Sequence, residues 1–344
     1  MHIPAHTRGG APAAVLTAKP EEAYRMTGPL VLLFLAVTVF CLALRPLAAR
    51  AADAPVSAAP AVVWSSGETK LTALQDRPGA MTPERFAGPA SPQERAAYFP
   101  DGQTPSSINM FLLQKDGLTI LFDTGNGERV QPGPGSLPDL IATKAFDPAT
   151  VDYVFLTHMH GDHIGGLILG GERAFPRAKI VVAGLELDYW LGEAERNPQN
   201  GNAALAREVA QLYGEELLPP FAFGDTLPAG ITAIGAAGHT PGHTVFQVDG
   251  DGESILVVGD LLHAAALQFP LPDECANFDM NAPEAVAARK RILNLAAEKG
   301  MPVAGMHIPF TGVGAVEKDG KGFRFTPHAA LPDAAPGITP YPAR

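Results

Sequence analysis

Apolar positions in this chain fall mostly into short runs broken by turn residues, with a few longer stretches at helical spacing. This pattern predicts an α/β fold rich in buried strands. Residues 62–75 predict a first strand, and 82–105 read as loop, with Tyr98 and Phe99 near its end. Residues 109–113 and 118–122 flank Lys115-Asp116-Gly117 and predict a hairpin, because Asp-Gly supplies the left-handed backbone of a tight turn. Strands follow at 151–156 and 179–183, and 164–169 suit a helix start. Helical spacing at 185–190 and 203–213, divided by the polar loop 197–202, predicts two helices that cover the polar cluster described next as a flap. Residues 231–236, 244–248 and 254–258 then predict strands, 283–299 a helix with proline in its first turn, and 302–306 a last strand. No internal repeat interrupts this order.

The chemistry is concentrated at strand ends. His158-Met159-His160-Gly161-Asp162-His163 follows the run 151–156 directly, placing three imidazoles and a carboxylate in six residues. Imidazole suits zinc and similar divalent ions, and a loop lets such side chains converge. Three further candidates also follow apolar runs: His239 in Gly-His-Thr-Pro-Gly-His, Asp260 after Val-Val-Gly, and His307 in Gly-Met-His-Ile-Pro. Asp123 opens Asp-Thr-Gly after residues 118–122, either as a turn residue or as an acceptor for the second N–H of a metal-bound imidazole.

The order His-x-His-x-Asp-His, His, Asp, His resembles the metallo-β-lactamase superfamily over nearly all of the chain from about Val62 onward. The resemblance implies a single-domain αββα four-layer sandwich, with the ligands on loops at one edge of two sheets. It assigns His158, His160 and His239 to one divalent ion, Asp162, His163 and His307 to a second, and Asp260 to both. Zinc is the expected metal, and a water shared by the two ions would serve as hydroxide near neutral pH. A histidine rather than a carboxylate at His160 argues against the di-iron members, and the presence of Asp260 argues against the true β-lactamases. His243 is expected to be structural.

Within the superfamily, Gln268-Phe269, Ala285 to Lys290, His307 to Gly314 and Gly322 to Pro327 look like methyl parathion hydrolase, as do Ala174-Phe175-Pro176 and Asp188-Tyr189-Trp190. That likeness places Trp190, Phe269 and Phe310 in an apolar substrate pocket; ordinary core packing is the competing expectation for each. His263 departs from it and matches lactonase-like relatives, as a substrate contact, a partner of Asp260 or a satisfied buried histidine. The expected activity is hydrolysis of neutral esters: organophosphate triesters, aryl esters or lactones. The alternatives are an acyl-lactone (quorum-signal) lactonase and, in a different class, an exported metal-binding protein without catalysis.

Residues 30–44 are uncharged and mostly apolar behind Arg25, and Ala49-Arg50-Ala51 offers a small-x-small cleavage site, so residues 1–51 are expected to be an export leader. A retained membrane anchor is the alternative, and translation from Met26 also fits the composition. An Ala/Pro-rich tether over 52–61 would then precede a hydrolase domain spanning 62–344. The formal charge is −11, and losing Arg8, Lys19, Arg25, Arg45 and Arg50 with only Glu21 and Glu22 makes the mature chain more acidic. No basic stripe compensates, so nucleic acid and anionic membrane are excluded as expected partners. A small neutral ester or lactone is the expected partner, and a homodimer is left open. With Cys41 in the leader, Cys275 has no intrachain disulfide partner and is expected to be a buried or semi-buried thiol.

Overall fold

A computed structural model of the protein describes residues 59–331. The expected leader, nearly all of the tether and residues 332–344 lie outside the described residues. The first sheet comprises β1 (Ala61–Ser66), β2 (Thr69–Met81), β3 (Thr104–Lys115), β4 (Leu118–Phe122), β5 (Tyr153–Phe155) and β6 (Lys179–Val181), in that order. Pairing is antiparallel from β1 to β4 and parallel through β4, β5 and β6. The second sheet comprises β7 (Thr232–Gly235), β8 (Thr244–Asp249), β9 (Ser254–Gly259), β10 (Val303–Gly305), β11 (Val313–Asp319) and β12 (Gly322–Pro327), also in chain order. Only β9 and β10 pair in parallel there.

Side-chain alternation along these strands builds the layers. Phe111, Leu113, Ile120, Phe122 and Phe155 from the first sheet meet Phe246, Val248, Ile255, Val257 and Ala304 from the second. Their neighbours Leu112, Leu121 and Val154 face the opposite way, onto α1 (Gly184–Arg196) and α2 (Gly201–Tyr213). Val245, Leu256, Val258 and Val303 face α3 (Ala282–Lys299), through Ala288, Ile292, Leu293 and Ala296. With both faces of each sheet covered, the strands read as continuous apolar runs, and the result is the expected helix–sheet–sheet–helix sandwich.

Several elements differ from their sequence expectation. Residues 62–75 form the hairpin β1–β2 rather than one strand, turning at Gly67, and β2 continues to Met81. Residues 164–169 pass from a single helical turn through a 3₁₀ turn into a short strand. Residues 302–306 do not end the sheet, because β11 and β12 extend it. Helices α1 and α2 form an outer layer rather than a flap: Trp190, Ala194, Ala206, Val209 and Tyr213 are buried against the first sheet.

Candidate metal centre

Every ligand candidate follows the C-terminal end of a strand, where parallel pairing brings successive strand ends to one edge of the sandwich. Residues 158–163 follow β5, His239 lies between β7 and β8, Asp260 follows β9, and His307 follows β10. Backbone bonds lock these loops together: Thr244 donates to the Thr157 carbonyl at 2.8 Å, and Asn109 to the Met306 carbonyl at 2.8 Å. Each bond crosses from one sheet to the other.

The ligand atoms converge in two groups. His158 Nε2 and His239 Nε2 each lie 3.0 Å from His160 Nδ1, and Asp260 Oδ2 is 3.2 Å from His239 Nε2 and 3.7 Å from His158 Nε2. In the second group Asp162 Oδ2 lies 3.8 Å from His163 Nε2 and 3.5 Å from His307 Nε2. Asp260 spans both groups, with Oδ1 3.1 Å from His163 Nε2 and Oδ2 3.1 Å from His307 Nε2. Imidazole nitrogens this close oppose their lone pairs unless a proton or cation lies among them. His163 Nε2 and Asp260 Oδ1 are moreover buried without a hydrogen-bond partner, a costly state that a cation relieves. The donor set fits divalent metal.

Burial would lower the His163 imidazole and raise the Asp260 carboxyl, but mutual attraction wins. Asp260, Asp162 and Asp123 hold His163 well above its ordinary value, while His163, His307 and His158 hold Asp260 well below its own. His239 rises to about 9 against burial, through Asp260 and Asp279. Burial, reinforced by His239, lowers His160 to about 3.

A further set of groups aims the imidazoles. Asp123, in left-handed backbone at φ 55°, accepts from the Thr157 N–H at 2.8 Å and the Thr157 hydroxyl at 2.7 Å, and its Oδ2 faces His163 Nδ1 at 2.7 Å. Thr157 Oγ1 in turn lies 3.1 Å from His158 Nδ1, and the Ser107 carbonyl lies 2.8 Å from His307 Nδ1. Asp279 Oδ1 faces His239 Nδ1 at 2.9 Å. Glu186, fully buried on α1, accepts from the N–H groups of Met159 and Gly242, the Thr240 hydroxyl and the Trp190 indole, at 2.7–2.9 Å. His243 takes a supporting place: its Nε2 accepts from the Asp260 N–H at 3.0 Å, its Nδ1 lies 3.2 Å from the Ala236 carbonyl, and burial lowers it to about 3. A Cβ at Gly259, φ 54°, would stand 2.6 Å from His243 Nε2, so glycine is required there.

The remaining candidates separate. His263 is 1% exposed, with Nε2 3.1 Å from Asp260 Oδ2 and its ring stacked on His307 at 5.0 Å. Trp190, expected in a substrate pocket, is 1% exposed, belongs to the α1–α2 core and meets His160 edge-on at 5.4 Å. Its indole N–H needs Glu186, which draws the ring inward. Phe269, 2% exposed, belongs to the core against α3 and stacks on Phe325 at 4.7 Å, whereas Phe310 is part-buried; both border a cleft of about 460 Å³ whose other walls include Ile308, Asp319 and Arg324. Cys275 is buried, and its thiol donates to the Ala282 carbonyl at 3.3 Å. Glu186, Asp279 and Ser107 were not singled out from sequence, since nothing in their neighbourhoods distinguishes them from ordinary helix and loop residues.

Comparison with known proteins agrees with this geometry. The chain is similar to the crystal structure of the hydrolase AbOPH in the beta lactamase superfamily, with TM-score 0.70 and 28% identity over 80% of this chain and 99% of that one. It is also similar to AidC, a dizinc quorum-quenching lactonase in complex with the product N-hexnoyl-L-homoserine, with TM-score 0.69 and 25% identity over 79% of this chain and 99% of that one. Among curated proteins it is 30% identical over 159 residues to ribonuclease TTHA0252 of Thermus thermophilus, a match that takes in 44% of this chain and only 34% of that protein. The family model described as the metallo-beta-lactamase superfamily matches residues 103–299. With more than half of its residues so matched, its ligand loops at one edge of an αββα sandwich and its histidine–aspartate clusters in place, the chain is a hydrolase-type member of the metallo-beta-lactamase superfamily.

Proposed function

We propose that the protein is a dinuclear, zinc-type hydrolase of small neutral esters, nearest in character to methyl parathion hydrolase and active on lactones. The observation that carries this reading is the central place of Asp260, whose Oδ2 lies between His239 of one group and His307 of the other while its Oδ1 faces His163. His158, His160 and His239 would hold one ion, Asp162, His163 and His307 the other, and Asp260 both. Ions held there supply Lewis acidity toward an ester oxygen and a hydroxide nucleophile near neutral pH. Asp162, whose side chain is 30% exposed, marks the open side of the cluster.

The protein's own groups then divide the remaining work. Phe269 and Phe310 border a cleft on the segments that follow His263 and His307, apolar apart from Asp319 and Arg324, which this reading takes as the seat of an acyl or aryl group. His263 lies 3.1 Å from Asp260 Oδ2, and these two groups are the candidates to pass a proton toward a departing alkoxide. An activated phenolate needs no such proton. His263→Leu is therefore expected to lower kcat for lactones by about 10–100-fold while sparing triesters with acidic phenols. Equal loss on both would assign His263 to packing alone.

The direct test is metal analysis of purified protein beside an acyl lactone, an aryl ester, a phosphotriester and RNA. Close to two ions per chain, loss of activity on chelation and turnover of the neutral esters are expected. A clean stoichiometry of one would remove the dinuclear reading. Preferential RNA cleavage would move the protein toward its ribonuclease relatives, a class its acidic charge disfavours. Export rests on residues 30–44, and a mature mass beginning near Ala52 is its corresponding expectation.

A further inference from the structure

Helix α3 carries a buried cation that the reaction leaves unexplained. Arg289 is 1% exposed; its Nε donates to the Leu261 carbonyl at 2.8 Å, and its Nη1 to the carbonyls of Pro272 and Glu274 at 2.9 Å. Its Nη2 lies 3.5 Å from Asp279 Oδ2, which also accepts from the Ala276 N–H at 3.1 Å. The Asp279 side chain is fully buried, and its other oxygen, Oδ1, is the one aimed at His239 Nδ1. The two oxygens thus face different surroundings: Oδ2 meets two fixed donors, and Oδ1 meets one imidazole.

We propose that Arg289 and the Ala276 N–H fix the rotation of Asp279, and that Asp279 thereby sets the tautomer of His239, making Arg289 and Asp279 positioning residues for the metal centre. The inference rests on the reading of His239 as a ligand. A carboxylate can only accept, so neutral His239 must carry its proton on Nδ1, which leaves the Nε2 lone pair directed into the ligand cluster. The geometry makes asparagine a sharp probe. Its single oxygen is held by the two donors on the Oδ2 side, so its NH₂ is turned toward His239 Nδ1. Nδ1 must then accept, the imidazole proton moves to Nε2, and the atom needed by the ion is blocked while side-chain volume is unchanged. The Leu261 contact adds a second effect, because Arg289 also anchors the residue next to Asp260.

The experiment uses the full chain loaded with zinc, with affinity read by chelator competition, coordination by the visible spectrum after cobalt substitution, and folding by thermal melting. Asp279→Asn is expected to melt close to wild type yet lose about 100-fold in affinity for one of two ions, with a changed cobalt spectrum. Asp279→Glu, which keeps an acceptor-only group, should recover much of that loss. In the Arg289→Met background the asparagine should do less harm than it does alone, since one of the donors that turn its amide is gone. Wild-type affinity and spectrum in Asp279→Asn would overturn the inference even if Arg289→Met failed to fold. A wild-type chain that bound no zinc would instead remove the metal reading itself, so the two failures are distinguishable.

Discussion

Asp260→Ala is expected to reduce kcat/KM on the best ester by at least about 1,000-fold and to leave no more than one ion per chain. The loss exceeds that of an ordinary ligand because Asp260 serves both histidine groups, Oδ1 toward His163 and Oδ2 toward His239 and His307. Outer partners of metal ligands alone cost 10–100-fold, and a shared ligand removes more. His243→Ala makes the informative contrast. It leaves every ligand atom present but takes the acceptor from the Asp260 N–H and opens a cavity under Gly259, so the loss should appear mainly in stability, at about 2–4 kcal/mol. Activity, metal content and melting temperature of the two variants decide the matter. Equal losses of activity and metal would show that Asp260 is not the shared ligand.

Glu186→Gln is expected to lower the melting temperature by about 5–10 °C and to weaken metal binding, although Glu186 touches no ion. Its Oε1 accepts from Met159 and Trp190, and its Oε2 from Thr240 and Gly242. The amide has one accepting end; with its nitrogen turned to the Thr240 and Gly242 side the Thr240 hydroxyl rotates to accept, and the Gly242 N–H is left facing a donor in a fully buried position. Stranded buried donors cost about 1–3 kcal/mol each, and a kilocalorie is worth about 2–4 °C in a domain of this size. Met159 lies between His158 and His160, and Thr240 follows His239, so loosening Glu186 releases three ligands at once. Unchanged melting and metal affinity would show that the clamp is dispensable.

The ligand candidates that the fold brings together stand out in sequence because each is a polar residue stranded at the end of an apolar run, and such residues recur in few patterns. Their supports do not. Glu186 lies in Gly-Leu-Glu-Leu-Asp-Tyr-Trp, where a carboxylate resembles any solvated helix charge; only the fold shows it turned inward. Arg289 and Asp279 are hidden in the same way, since opposite charges ten residues apart carry no signal of contact. Trp190 shows the converse. Family resemblance suggested a pocket wall and its size ordinary core packing; its indole N–H is spent on Glu186 inside the core. The hairpin β11–β12 has a usable signal in Asp319-Gly320 between alternating apolar positions, but its outer half, Glu317 to Lys321, is polar and exposed, and the strand reading stops at residues 302–306.

Because residues 158–163 come from the first sheet and His239, Asp260 and His307 from the second, each ion would add a further tie between two halves of the chain already joined by packing, strand pairing and hydrogen bonds. Such a tie acts on the native state alone, and free ion at a thousand times its dissociation constant adds about 4 kcal/mol per site. Lifetime against proteolysis then becomes a function of the local metal supply. In a metal-poor surrounding the protein would be cleared as well as silenced, so its abundance would report the metal status of the compartment that holds it.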